Sequence, residues 1–465
     1  MKKTFIEEII RATNGELIKG DEKNYITGVK HDSRECESGD MFVAIKGDNQ
    51  DGHKYIPQVV EKGCNTVFVS HTEGWYDEVA ESDINIIKVD DTVFALGELA
   101  KYYLSTLDVL KIAVTGSVGK TSVRDMIYYA LSEKYTCGRN LKNYNNFIGL
   151  PISIFRFDEK TEAVVLEMGM DKFGEIDRLA SIVKPNIAVI TNIGMSHIEN
   201  LGSREGIFKA KMEVAPHITG RTPEDSGILI FPCDDEFLTR ENTKGSYSQK
   251  IVGEDGRSDY IISDVDDFGL EGIQFNLEHL EQTAKIRLNI PGRHNSVNAA
   301  LALAVAGAAG VSINEAQQGL LKTELTGSRL KNIKTDKLSI IDDTYNANPD
   351  SMKSAAKVLE LSEGKGRKIA ILGDMFELGE ESERQHYGVG LFVRGLRVDA
   401  LIAIGDKAEK IAEGAAGGNA EVAYYKNKED FFKEIDRFIG NGDIILVKGS
   451  RGMKMEQIVE KLTEF

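Results

Sequence analysis

Residues 114–123 read VTGSVGKTSV. Residues 111–115 form an apolar strand, Gly116, Ser117, Val118 and Gly119 make a turn, and Lys120-Thr121 open a helix. The backbone N–H groups of such a turn, with the helix N-terminus, hold phosphate oxygens. On this spacing Lys120 neutralises the β- and γ-oxygens, and the Thr121 hydroxyl ligates Mg²⁺. Val114 stands where the longer GxxxxGK[ST] pattern has its first glycine, so this is the shorter TGSxGKT form. A plain strand-to-helix turn can contain the same letters. A phosphate turn suits a GTPase switch, an ATPase or a kinase, and the rest of the chain has to discriminate.

The chain has 465 residues. At about 150 residues per domain, that predicts about three domains. Hydrophobic residues make up 41% and charged residues 28%, ordinary values for a globular protein. The net charge of -17 argues against a general nucleic-acid binder, which needs a basic surface to displace counterions. Any anionic substrate must then be met by local cations. Cys36, Cys64, Cys137 and Cys233 are scattered without a CxxC pair, so neither a zinc site nor a disulfide framework is expected. The opening MKKTFIEEII lacks the apolar core of a signal peptide. The stretch from Ala299 to Val311 is Ala-rich, too short for the ~20 residues of a bilayer span, and reads as a buried helix ending at Gly310. A cytoplasmic location is the expectation.

Working outward from the turn, the apolar strands KIAVTG, AVVLEMG and IAVITNIG alternate with helix-like stretches. Near-continuous apolar strands separated by helices predict a parallel sheet covered on both faces, hence an α/β fold. Three blocks follow: 1–88, 89–326 and 327–465. The first mixes short strands and turns (YITGVKHDSR, GDMFVAIKG, GCNTVFVS). The second carries the phosphate turn, and its QFNLEHLEQTAKIRLNI alternates like antiparallel strands. The third shows LSIIDDTYN, KIAILGD, ALIAIGD, EVAYY and DIILVKGS, each before a helix-like stretch, which predicts a second, Rossmann-like doubly wound unit. Ligands of such sheets bind outside the carboxyl ends of the strands.

Most of the unusual residues fall at those ends. Glu167 follows AVVLEMG and could hold Mg²⁺ as a hard oxygen ligand, or be a loop carboxylate. His197, in TNIGMSHIENLG, is a metal neighbour or a structural histidine. Lys211 sits in a helix-like stretch where a lysine is ordinarily solvated. Asn143, Asn145 and Asn146 are turn formers or hydrogen-bonding partners of a polar ligand. In PGRHNSVNAALALA, Asn295 could be an N-cap, while His294 and Asn298 suit a nucleotide base edge. DDTYNANPDSM ends a strand with Asp342 and Asp343, and part of it reads as a turn with a helix N-cap. LGDMFELG ends the next, and Lys448, Ser450 and Arg451 end another. In the first block, Ser33-Arg34 and the Lys46-Gly47 turn suit a diphosphate or a carboxylate, although surface ion pairs look the same.

These pieces, in this order, resemble the Mur ligases, the ATP-dependent amide-forming enzymes of bacterial cell-wall precursor synthesis. The resemblance rests on DSRECESGDMFVAIKGDNQDGH, TGSVGKTS and PGRHNSVNAALA and covers essentially the whole chain. NYNNFIGLP, EMGMDKFGEI, TNIGMSHIENLGSREGIFKAKMEV, DDTYNANPDSM and LGDMFELG are most similar to the branch that joins D-alanyl-D-alanine to UDP-N-acetylmuramoyl-tripeptide. The DNPR-like segment of the ligase that adds the third residue is absent. Folylpolyglutamate synthase shares the ATP turn but not the first-block or DDTYNANP segments. Val118 and Asp171 depart from the branch's pattern, and neither removes a group the chemistry requires.

The resemblance implies three domains: a UDP-sugar-binding domain, a central ATP-binding domain and a C-terminal Rossmann-like domain. It implies a monomer. It implies Gly116, Ser117, Gly119, Lys120, Thr121, Ser122, Asn295, Asn298, Arg329 and Asp343 as ATP contacts. Thr121, Glu167, His197 and Lys211 become the Mg²⁺ ligands or close neighbours, with Lys211 carrying a carbamate; Lys120, His197 and Lys211 serve catalysis. Ser33, Arg34, Lys46, Asn145 and Asn146 become nucleotide-sugar contacts. Tyr345, Asn346, Asn348 and the LGDM loop become acceptor-dipeptide and ATP contacts. Two rivals remain: another Mur-type ligase with a different acceptor amine, and a P-loop ATP-binding regulator.

Overall fold

A computed structural model describes every residue except Pro223 and Glu281. The chain divides into two compact units, each assembled from several stretches. One comprises Met1–Val114, Tyr135–Ala188 and Glu213–Gly227; the other comprises Thr115–Lys134, Val189–Met212 and Ile228–Phe465. Among the described residues, no helix is long and apolar enough to cross a membrane.

The first unit contains a five-stranded sheet in the order Glu16–Lys19, Asn85–Lys88, Thr66–Val69, Asp40–Val43, Gly28–Lys30. Its last four strands are parallel, and Glu16–Lys19 closes the edge antiparallel. Asp40–Val43 and Thr66–Val69 are buried along their whole length, as strands covered on both faces must be. Phe42, Val67, Val69, Trp75 and Ile86 pack one core around them. The same unit carries a parallel ladder in which Ala163–Glu167 lies between Cys137–Arg139 and the strand that enters the glycine turn, with Glu167 opposite Val114. Glu167 thus stands at a strand's carboxyl end.

In the second unit, Tyr260–Asp267, Ile273–His279 and Gln282–Leu288 form antiparallel pairs. The alternation of QFNLEHLEQTAKIRLNI is the two-residue period of a half-buried hairpin. Asn295–Ala308 is a helix buried along most of its length. A six-stranded sheet follows in the order Lys331–Lys334, Ser339–Asp343, Ile444–Lys448, Lys368–Gly373, Ala400–Ile404, Glu421–Tyr425. All neighbours but the first pair are parallel, which is the doubly wound arrangement. Its two faces carry separate cores, one around Ile341, Leu372 and Leu401, the other around Ile371, Ile402 and Val447. Alternate residues of single strands supply opposite faces.

Candidate active site

The glycine turn is shaped by two backbone requirements. Gly116 has φ +145° and Gly119 has φ +82°, conformations that favour glycine. A Cβ on Gly116 would collide with the Thr191 hydroxyl, and one on Gly119 would lie 3.1 Å from Asn298 Oδ1. The turn is then clamped from residues 191–194. Asn192 Oδ1 accepts from the Val118 N–H at 3.0 Å, and its Nδ2 donates to the Val118 carbonyl at 3.0 Å. Thr191 Oγ1 donates to the same carbonyl at 2.6 Å. The Ser117 N–H donates to the Asn192 carbonyl at 3.1 Å, and the Gly194 N–H donates to Ser117 Oγ at 2.9 Å. Lys120 Nζ folds back onto the Gly116 and Ser117 carbonyls at 2.8 and 3.2 Å. Thr121 and Ser122 are buried in the first turn of Lys120–Ser132.

Arg329 joins this group. Its Nη2 donates to Thr121 Oγ1 at 3.0 Å, and its guanidinium stacks 3.7 Å over the Tyr345 ring. The segment that carries Arg329 is tied to the same helix one turn further on. Arg124, fully buried, donates to Asp125 and to Thr326 Oγ1, and Asp125 Oδ2 accepts from the Thr326 N–H at 2.6 Å. Asn295 is not an N-cap: His294 occupies that position. The Asn295 Nδ2 instead donates to the Pro291 carbonyl at 2.7 Å, and its Oδ1 accepts from Asn298 Nδ2 at 2.8 Å. The Asn295–Asn298 pair thereby aims an amide oxygen at the glycine turn.

Lys211 is not a solvated face residue. It is 1% exposed on Arg204–Met212. Burial holds its amine well below the ordinary lysine range, and the charge of Lys120 acts in the same direction. His197 and Glu377 face each other at 3.1 Å, Nδ1 to Oε2, and both have left-handed backbones, φ +63° and +62°. Asp343 is buried against Lys448, whose Nζ lies 2.6 Å from Asp343 Oδ2 and 2.8 Å from the Asn346 carbonyl. Burial pushes the Asp343 carboxyl up, against the pull of Lys448. Asp342 serves its own strand end, accepting from the Thr344 N–H and hydroxyl. Asn348 caps Pro349–Leu361 by accepting from the Ser351 N–H at 2.9 Å.

Within the first unit, Glu167 is 2% exposed, not a solvated loop residue. Asn145 Nδ2 donates to its Oε1 at 2.8 Å, and Asn140 brackets its backbone from both sides. Asn146 Oδ1 accepts from the Gly149 N–H at the start of Gly149–Ile154. Arg34 is exposed and forms a two-pronged pair with Asp32, holding that carboxyl well below its usual range. The Ser33 carbonyl accepts from Lys62 Nζ at 2.9 Å. Lys46 pairs across to Asp51 in a two-residue bridge. Asp51 accepts from His53 Nδ1 at 2.6 Å, and its other oxygen lies 3.2 Å from His71 Nε2. His53 Nε2 accepts from the Ser70 N–H, so both His53 nitrogens are committed to the local structure.

Asn140, Thr191, Asn192 and Glu377 were not singled out from the sequence. TNIG did show itself as a strand end, but nothing in four letters says that its side chains reach back to the glycine turn.

A clamped strand-end glycine turn with a lysine and an arginine gathered on it, in a chain that also carries a second doubly wound sheet, is the layout of a nucleotide-dependent α/β enzyme. Models of one family match in three consecutive segments: the "Mur ligase family, catalytic domain" over 25–104, the "Mur ligase middle domain" over 114–306 and the "Mur ligase, glutamate ligase domain" over 328–451. The chain belongs to the Mur ligase family. It is 40% identical to the UDP-N-acetylmuramoyl-tripeptide–D-alanyl-D-alanine ligase of Bacillus subtilis, over 100% of this chain and 99% of the relative. It is similar to the crystal structure of MurF from Acinetobacter baumannii, with 32% identity, TM-score 0.90 and full coverage of both chains. It is also similar to MurF from Thermotoga maritima in complex with ADP, with 26% identity and TM-score 0.81 over 94% of this chain and 97% of that one.

Proposed function

We propose that this chain uses ATP to join D-alanyl-D-alanine to the terminal carboxylate of UDP-N-acetylmuramoyl-tripeptide, in cytoplasmic peptidoglycan precursor synthesis. The observation that carries the reading is the clamped glycine turn bearing Lys120, Thr121 and Arg329, in a chain that is like the D-alanyl-D-alanine ligases over its whole length.

The γ-phosphoryl of ATP passes to the substrate carboxylate, giving an acyl phosphate and ADP. The acceptor amine attacks the acyl carbon, and phosphate leaves as the tetrahedral intermediate collapses. Little covalent chemistry falls to the protein, which positions the groups and stabilises charge. Two anions must be brought together. At 4 Å and an effective dielectric of 20, each like-charge pair costs about 4 kcal/mol. Lys120 offsets part of that, swinging from the Gly116 and Ser117 carbonyls to the phosphates. Arg329 turns from Thr121 to the same anions, and the amide pair Asn295–Asn298 steadies the turn from its other side.

Mg²⁺ fits the donors this chain offers. The Thr121 hydroxyl and the Glu167 carboxylate are hard oxygen donors, each buried within its own unit, and Asn145 orients the Glu167 carboxylate. In this reading His197 is a ligand or a near neighbour of the ion. An ammonium on Lys211 would not fit, but burial favours the neutral amine, the form that adds CO₂ to become a carbamate. When bound, the ion neutralises triphosphate charge. Gly116, Ser117, Gly119, Ser122 and Asp343 complete the nucleotide contacts in this reading. Ser33, Arg34, Lys46 and Asn146 receive the nucleotide sugar, and Tyr345, Asn346 and Asn348 shape the acceptor side. The three functional segments are 1–88, 89–326 and 327–465, acting in a monomer.

The test is phosphate release from Mg²⁺-ATP with UDP-N-acetylmuramoyl-tripeptide, with and without D-alanyl-D-alanine. Release that needs both substrates supports the reading. Release indifferent to the dipeptide, or driven equally by another amine, overturns it. Light scattering of the eluting protein checks the monomer.

A further inference from the structure

The loop that follows Lys368–Gly373 is held at three successive residues. Asp374 Oδ1 accepts from the Lys407 and Ala408 N–H groups at 3.0 and 2.7 Å. The Met375 N–H donates to the buried His386 Nε2 at 2.9 Å, and the Phe376 N–H donates to Ser450 Oγ at 2.8 Å. Leu378 is buried beyond them. Phe376 and Glu377 are left exposed by this frame, and Glu377 is the one of the two that carries a charge. Its side chain is 61% exposed, its backbone is left-handed, and its carboxylate lies 3.1 Å from His197, itself left-handed. Two non-glycine residues held in that conformation face to face mark a place where the surroundings over-determine the geometry.

A carboxylate beside Lys120 and His197 is an odd choice for a site that must gather a triphosphate and a second anion. It repels both, and beyond its contact with His197 and the field of Lys120 its exposed side chain is open to a further cation that arrives from solvent. The proposed reaction brings one. An α-amino group with an ordinary pKa of about 8 reaches a neutral solution mostly as the ammonium. We infer that Glu377 receives the ammonium of the acceptor dipeptide and positions its nitrogen for attack on the acyl phosphate. This rests on the ligase reading above. The nitrogen gives one proton to solvent, the neutral amine forms the C–N bond, the acyl C–O bond breaks with phosphate carrying away its electron pair, and the second nitrogen proton leaves with the departing phosphate. Glu377 acts by a charge-assisted hydrogen bond to the nitrogen.

Hydroxylamine separates this role from earlier steps, because it attacks acyl phosphates as an uncharged nucleophile and leaves a hydroxamate. E377Q keeps the size of the side chain and removes the charge. Its KM for D-alanyl-D-alanine is expected to rise about tenfold or more, the loss of one hydrogen bond to a charged group, while KM for ATP stays within about twofold. Hydroxamate formation from ATP, UDP-N-acetylmuramoyl-tripeptide and hydroxylamine should fall far less than dipeptide turnover. E377D, which restores the charge, should recover part of the loss. Equal losses with both nucleophiles would overturn the inference and move Glu377 to acyl-phosphate formation. An unchanged dipeptide KM in E377Q would overturn it directly. Wild-type phosphate release that does not depend on D-alanyl-D-alanine would bring down the ligase reading itself, and the inference with it.

Discussion

Two strand-end loops of the second unit are built alike and face opposite demands. The glycine turn ahead of Lys120–Ser132 is clamped by Thr191, Asn192 and Gly194. The loop after Lys368–Gly373 is clamped by His386 and Ser450. In both, backbone groups are tied down by side chains contributed from distant parts of the chain. What is left facing outward differs. The first offers a helix N-terminus and Lys120, which suit anions. The second offers the Glu377 carboxylate, which suits a cation. Position at the carboxyl end of a strand therefore marks a working loop, and the outward charge says what kind of group it works on.

The largest test of this contrast is K120A. Phosphate release is expected to fall by about 10³-fold, the scale of removing one preorganised donor from a site of developing charge, in a steady-state assay with both substrates present. If K120A retains near-normal turnover, the glycine turn is not where the triphosphate sits. N192A comes next. It leaves the Val118 N–H without its acceptor and the Val118 carbonyl with Thr191 alone, a loss of about 1–2 kcal/mol, so KM for ATP should rise about tenfold while KM for the dipeptide holds. S450A makes the matching change in the other loop, removing the acceptor of the Phe376 N–H. KM for D-alanyl-D-alanine should rise about threefold to tenfold with KM for ATP unmoved. A crossed result, with N192A acting on the dipeptide or S450A on ATP, would break the contrast.

The smallest effect lies outside both loops. Partial burial pushes the Asp51 carboxyl up, but hydrogen bonds from the His53 N–H, from the His53 ring and from His71 outweigh it and bring it to about 2. Unfolded, it titrates near about 4, so between about pH 4 and 2 the unfolded chain binds more protons. Asp51 therefore stabilises the fold above that window, and the contribution fades as pH falls through it. D51N should flatten the melting temperature against pH between about 4 and 2, by at most about 1 kcal/mol.

Much of the fold was legible because period and polarity report burial. The central strands of the third block are mostly apolar and form the doubly wound sheet expected of them, whereas the polar edge strand Lys331–Lys334 gave no such sign. The strand, turn and helix around Lys120 and Thr121 were legible because glycine spacing encodes backbone conformation. Lys211 was not, since a lysine in an otherwise charged helix gives no sign of being buried; only its likeness to a family pointed to it. Asn192 and Asn140 act through contacts to residues tens of positions away in the chain, and no local pattern encodes such a reach. Asn295 misled because an amide before an Ala-rich helix is the usual sign of a cap, whereas the true cap position fell one residue earlier.

The tie between Arg124, Asp125 and Thr326 has a consequence for how the chain comes apart. Thr326 lies between the segments matched by the middle-domain and glutamate-ligase-domain models, where multidomain chains ordinarily offer a protease its first cut. Here the backbone N–H and the hydroxyl of that residue are bonded to a helix whose arginine is fully buried. To open the joint, a protease must wait for helix Lys120–Ser132 to loosen with it. On the ligase reading, nucleotide that steadies the glycine turn is therefore expected to slow digestion at the joint, which limited proteolysis with and without ATP checks.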